Sequence, residues 1–273
     1  MSANWSEKYL ICALIYAGLT NALIRPVAAS IFENGFVNAL LDSFGVNAAV
    51  WFSIGLISIN LNRCGEAVQR IQFGIVPLIV MIGLMVPSAT VAWILVAVLA
   101  GWILQQSDDH TLRSAASILV VLALRDPLLS NLSQLFNTEI LALDTWMVSV
   151  LVSLFDQAVY HNSNLIQDDK GVRLIILKGC SSLTNLSYAF LIWYSISKTY
   201  APRLTVQGAW SLLLVITSII LFNVTRLALM SMNESNYALI HNTTSHALQS
   251  VLMLVSVLFI SFWGAQCFSL RRI

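Results

Sequence analysis

Residues 209–232 read AWSLLLVITSIILFNVTRLALMSM, and this run decides the fold. Arg226 is its single charged side chain in 24 residues. A helix needs about 20 mainly apolar residues to cross the hydrocarbon core of a bilayer, so the run is long enough to span. Lipid offers no partner to backbone N–H and C=O groups, which forces the chain there into helix. The same character holds across the sequence. Of 273 residues, 58% are hydrophobic and 10% charged, and the mean hydropathy is +0.80. A soluble domain carries about 25% charged residues. The sequence therefore predicts an all-α polytopic membrane protein. The net charge of +1 says nothing about nucleic acid; the sequence shows no basic run and no Gly-rich phosphate loop, and no nucleic-acid partner is expected.

Working outward from 209–232, further apolar runs occupy 9–23, 46–59, 71–86, 90–104, 112–124, 183–196 and 246–267. That predicts eight spans, several with cores short enough to need their flanks. The first follows Lys8 without a nearby small-x-small cleavage site, so it is expected as an uncleaved span. Residues 1–125 would hold five N-terminal spans, 126–180 an outer-face segment and 181–273 three C-terminal spans, all in one transmembrane domain. In the outer segment, EILALDTWMVSVLVSLFDQAVY resembles a ninth span but is interrupted by Asp144 and Asp156. It is expected instead as helix lying at the interface or against the bundle. Eight spans with a cytoplasmic N-terminus put Lys8, Arg63, Arg70, Arg113, Lys198, Arg203, Arg271 and Arg272 inside, eight of fourteen cations. The bias of short loops toward inside Lys and Arg favours that orientation.

Polar residues then gather at one membrane face. Of the four cysteines, Cys12 falls in the first span, Cys64 in an inner loop and Cys267 near the inner end of the last span. Cys180 alone falls outside, so no disulfide explains it; a free cysteine is by default a small buried hydrophobe. Its setting argues for more. Residues 164–167 and 172–177, joined by the turn DDKG at 168–171, predict a β-hairpin that delivers the chain to Lys178, Gly179 and Cys180. Ser181 and Ser182 then predict a helix start. A positive helix end and a lysine both favour a thiolate, provided the site is solvated.

Arg226 lies 16 residues beyond Trp210, about 24 Å along a helix. That places it toward the outer edge, where an arginine either snorkels or faces the protein interior. His241 and His246 lie at the outer start of the last span. Topology thus puts a thiol, a fixed cation and an imidazole on one face. Cysteine with histidine makes a nucleophile–base pair, and an adjacent arginine can hold an oxyanion.

With these residues in view, the chain resembles the exosortase/archaeosortase family of membrane cysteine transpeptidases. Cys180-Ser181-Ser182-Leu183 is similar to that family's Cys-Ser-Gly-Leu motif, and Asn223-Val224-Thr225-Arg226 to its Asn-x-x-Arg motif. A downstream histidine completes the pattern, His246 by its position or His241 as its substitute. The resemblance covers about residues 120–265; the first five spans match in hydrophobicity alone. Ser182 departs from the family's glycine, which alters a close backbone approach at that position.

The resemblance implies an enzyme of the cytoplasmic (inner) membrane with its site on the outer or periplasmic face. It would cleave C-terminal sorting signals of exported, membrane-anchored proteins through an acyl-enzyme thioester. The acyl group would pass to an acceptor, a lipid or a glycan. Cys180, Arg226 and His246 would be catalytic, with Asn223, Ser181 and Ser182 supporting them, and neither metal nor cofactor is implied. The competing reading from the residues alone is a transporter or channel-like protein with Arg226 as its binding charge. Such proteins place charges near the midplane and often carry inverted repeats, and the sequence shows no repeat. A third reading is a membrane acyltransferase that uses a histidine and does not need Cys180.

Overall fold

The computed structural model describes residues 4–64, 74–155, 159–168, 173–177, 180–201, 206–240 and 243–269. Helix dominates them, with one small sheet. Five helical segments are long and apolar enough to cross a membrane: Tyr9–Leu41, Ala89–Gln106, His110–Leu135, Val206–Met232 and Leu248–Gln266. The other three predicted spans also fall on helix. Two of those helices are short: α2 (Ala48–Arg63) has 16 residues and α3 (Ile75–Gly83) has nine. The third, α7 (Ser182–Tyr200), interleaves Thr184, Asn185, Ser187, Lys198 and Thr199 with its apolar positions.

The described chain forms two compact units. The first comprises Met1–Asp126 and Tyr194–Leu204. Here α1 (Asn4–Leu41) packs on α4 (Ala89–Gln106), and α3 packs on α4 as well. Gly35 interrupts α1 with φ 75° and ψ 160°, a conformation open to glycine and strained for other residues. Asn60 Nδ2 donates to Thr199 Oγ1 at 2.8 Å, and Ser195 Oγ to Ser53 Oγ at 3.1 Å, tying α2 to the last turns of α7.

Asp109 caps α5 (His110–Leu135). Its Oδ1 accepts the Leu112 N–H at 2.7 Å and the Cys64 thiol at 3.6 Å. Burial alone would raise its carboxyl. The hydrogen bonds from the Thr111 hydroxyl, the Leu112 N–H, the Cys64 thiol and the Thr111 N–H outweigh it and hold the group below its usual value. A depressed carboxyl stabilises the fold fully above its ordinary value of 3.8, and that contribution is lost as pH falls through the lower folded value. Asp109→Asn should therefore flatten the loss of stability in acid, measured by thermal unfolding below about pH 4. Asp109→Ala should lower stability at neutral pH by about 1 kcal/mol, the usual worth of such a cap.

The second unit comprises Pro127–Trp193 and Thr205–Ile273. Its frame is α8 (Val206–Met232) packed on α10 (Thr243–Ser269), on α6 (Asn137–Ser153) and on α9 (Glu234–Ile240). The expected hairpin is present with one strand more. Strands β1 (Val159–Asn162), β2 (Leu165–Asp168) and β3 (Arg173–Ile175) form an antiparallel sheet in the order β1-β2-β3. Leu165 pairs with Ile175 and Gln167 with Arg173. Residues 169–172, most of the expected turn, lie outside the described residues.

The sheet's inner side chains Ile166, Leu174 and Ile176 join Leu141, Val148 and Val152 of α6 and Val224, Leu227 and Met230 of α8 in one core, against which Cys180 packs. The segment with the two aspartates thus supplies a 17-residue helix packed on α8. It also supplies β1, which the sequence reading did not separate from it.

At the far side of this unit α8 and α10 touch through small residues. A Cβ added to Gly264 would lie 2.5 Å from Ser211 Cβ and 2.6 Å from its Oγ. Ser211 Oγ also accepts the Trp193 indole N–H at 2.9 Å. Helices in lipid associate through such close packing, since lipid is as apolar as the side chains. Gly264→Ala is expected to destabilise by about 1–3 kcal/mol, typical of overpacking. Ser211→Gly should recover part of that loss, while Ser211→Ala, which removes the Oγ clash and keeps the Cβ clash, should recover less. Thermal unfolding of the single and double variants checks the pattern.

Candidate active site

The end of the sheet feeds directly into Cys180. Asn164 closes the hairpin, its C=O accepting the Ile176 N–H at 2.8 Å and its Nδ2 donating to the Ile176 C=O at 3.2 Å. One residue later the Leu177 C=O accepts the Cys180 N–H at 2.8 Å. Helix α7 begins at Ser182, as the serine pair predicted. Ser181 acts as its cap, Oγ accepting the Leu183 N–H at 3.2 Å. Cys180 is half-buried and its thiol is free, while Ser181 and Ser182 are buried.

Asn223 holds this turn from α8. Its fully buried amide Nδ2 donates to the Cys180 C=O at 3.0 Å and to Ser182 Oγ at 3.0 Å. Two motifs 43 residues apart in sequence therefore meet through one side chain. Ser182 passes the chain onward: its Oγ donates to Asp144 Oδ1 at 2.8 Å and its N–H to Asp144 Oδ2 at 3.0 Å. Ser182 is thus a bridge between α6 and α8.

Asp144 is the residue that sequence reasoning missed, having weighed it solely as an interruption of a span. It is 2% exposed. A signal was present: Leu141, Asp144, Thr145, Val148 and Val152 share the buried stripe of α6, at the spacing of one helix face. A carboxylate on such a stripe needs donors at its end, since burying one without them is costly.

Arg226 lies one turn beyond Asn223 on α8 and is half-buried. Its Nε is buried and, among the described residues, has no acceptor; Asn223 Oδ1 is likewise buried without a donor. Arg226 also lines a cavity of about 410 Å³. Leu221, Phe222, Thr225 and Leu229 of α8, Ile240 of α9 and Leu248, Gln249 and Leu252 of α10 form most of the remaining wall. Helix α8 thus carries both the clamp on the thiol-bearing turn and, one turn on, a buried guanidinium donor that lines a cavity whose wall does not include Cys180.

The structure brings Cys180, Ser182 and Asn223 together and places Arg226 on the same helix as the clamp. His246 belongs to the first turn of α10, and its side chain lies outside the described residues, as do His241 and Lys178. No group of histidine, cysteine and acidic residues suited to a metal occurs among the described residues. No family model matches the sequence, no curated protein matches it, and no solved structure matches its fold.

Proposed function

We propose that the protein is a membrane cysteine transpeptidase of the exosortase/archaeosortase kind, acting on C-terminal sorting signals of membrane-anchored proteins. One observation carries this reading: the Asn223 amide clamps the Cys180 carbonyl from the helix that bears Arg226. That clamp fixes the backbone of the thiol-bearing residue, as a nucleophile requires, while the unpaired Arg226 Nε leaves a donor for developing negative charge.

The reaction runs in two halves. The Cys180 thiolate attacks the carbonyl carbon of the scissile peptide, forming a C–S bond, and Arg226 holds the oxyanion. Collapse breaks the C–N bond, His246 gives its proton to the leaving amine, and a thioester remains on Cys180. The acceptor, a lipid or glycan nucleophile, then loses its proton to the same histidine and displaces the thiolate. The site faces the outer side of the cytoplasmic membrane.

The test is capture of the intermediate. Membranes containing the protein and its exported substrates, quenched in acid, should yield a covalent adduct at Cys180 that neutral hydroxylamine releases, detected by mass spectrometry. Substrate cleavage without any hydroxylamine-labile adduct at Cys180 would sink the reading.

A further inference from the structure

We propose that Asp144 is a positioning residue for Cys180, acting through Ser182 and Asn223. The proposal rests on the reading of Cys180 as nucleophile and adds a residue that no motif points to. Its basis is a directed chain of hydrogen bonds. Asn223 Nδ2–H donates to Ser182 Oγ, and the Ser182 hydroxyl proton is then free for one acceptor alone, Asp144 Oδ1. The second Asp144 oxygen takes the Ser182 N–H, a donor that the first turn of a helix leaves unused. Because Asp144 accepts at both oxygens, Ser182 Oγ must present its lone pair to Asn223. That fixes the rotamer of the amide whose other proton holds the Cys180 carbonyl.

The polarity of the chain matters more than its shape. A carboxamide at position 144 has the same outline and one acceptor fewer. Whichever way it lies, either the Ser182 N–H or the Ser182 hydroxyl proton loses its acceptor. Asp144→Asn therefore separates positioning from space-filling. If Asp144 served packing alone, its isosteric replacement would leave the Cys180 turn untouched.

The experiment uses the full chain in detergent with Cys180 as its single cysteine (Cys12→Ala, Cys64→Ala, Cys267→Ala). It follows the second-order rate of thioether formation with N-ethylmaleimide, well below the unfolding temperature. Loosening the clamp releases the half-buried thiol, so Asp144→Asn and Ser182→Ala should each raise that rate by about tenfold, the scale of one lost hydrogen bond to a charged group. The double variant should react no faster than Ser182→Ala, because both act through one hydroxyl. Ser182→Ala leaves Asp144 bonded to the Ser182 N–H and carries the test alone should Asp144 variants fail to fold. A rate unchanged or lowered in the folded variants overturns the proposal. The readout needs no substrate, so it fails separately from the transpeptidase reading, which falls if Cys180→Ala still processes substrate.

Discussion

Cys180→Ala is expected to remove substrate cleavage and adduct formation together, with a rate loss on the order of 10⁶-fold, as when a covalent nucleophile is deleted elsewhere. The prediction separates chemistry from folding because the bonds that hold residue 180 are backbone bonds. Its N–H donates to the Leu177 C=O and its C=O accepts from Asn223 Nδ2. Both survive truncation to alanine. What is lost is the thiol and its contacts with the core shared by α6, α8 and the sheet, worth about 1 kcal/mol of stability, which thermal unfolding measures. A folded alanine variant that still cleaved its substrate would leave the histidine acyltransferase reading in place. A folded, inactive one whose substrate still co-purifies would place the defect in the chemical step. The assay is gel separation of precursor and product in membranes, with hydroxylamine release scored in parallel.

How much of this site could be foreseen depends on the length scale of the interaction. The serine pair predicted the start of α7 because helix capping is local, spanning two residues from Ser181 to Leu183. The hairpin of β2 and β3 was legible because a turn sequence and two short apolar runs lie within a dozen residues, whereas its register, Gln167 opposite Arg173, was not. Strand β1 was not legible. Its four residues, two apolar and two polar, follow Asp156 and Gln157 at the end of the run from α6, and what defines them is pairing with β2 through a turn at Ser163, which takes a positive φ of 51°. The eight predicted spans illustrate a different limit. Apolar runs locate helices well, yet α2 and α3 are too short to cross by length alone, and hydropathy does not encode where a helix ends. Asp144 was illegible for a third reason. Its role is defined by Ser182, 38 residues away, and by Asn223 beyond that. A window on the local sequence shows an acidic residue breaking an apolar run; the tertiary fold supplies its donors.

Arg226→Lys is expected to lower kcat by about 10²–10³-fold, the usual loss on removing an oxyanion donor, with KM changed by no more than a few-fold. Lysine keeps the positive charge and most of the apolar stem, so packing along the cavity wall beside Phe222 and Leu229 is largely preserved. It loses the planar fork and, with it, the Nε donor. Nε has no acceptor among the described residues, so the substitution breaks no bond seen to hold α8 in place. A loss of rate with little loss of stability is therefore the signature of a donor kept for the transition state. The transporter reading predicts the opposite pair of outcomes. There Arg226 supplies a binding charge, which lysine retains, and Cys180 is incidental. Comparing Arg226→Lys with Cys180→Ala in the same cleavage assay distinguishes the two. If the lysine variant works at the wild-type rate, Arg226 is not the oxyanion donor, and the donor must be sought among the backbone N–H groups near Cys180.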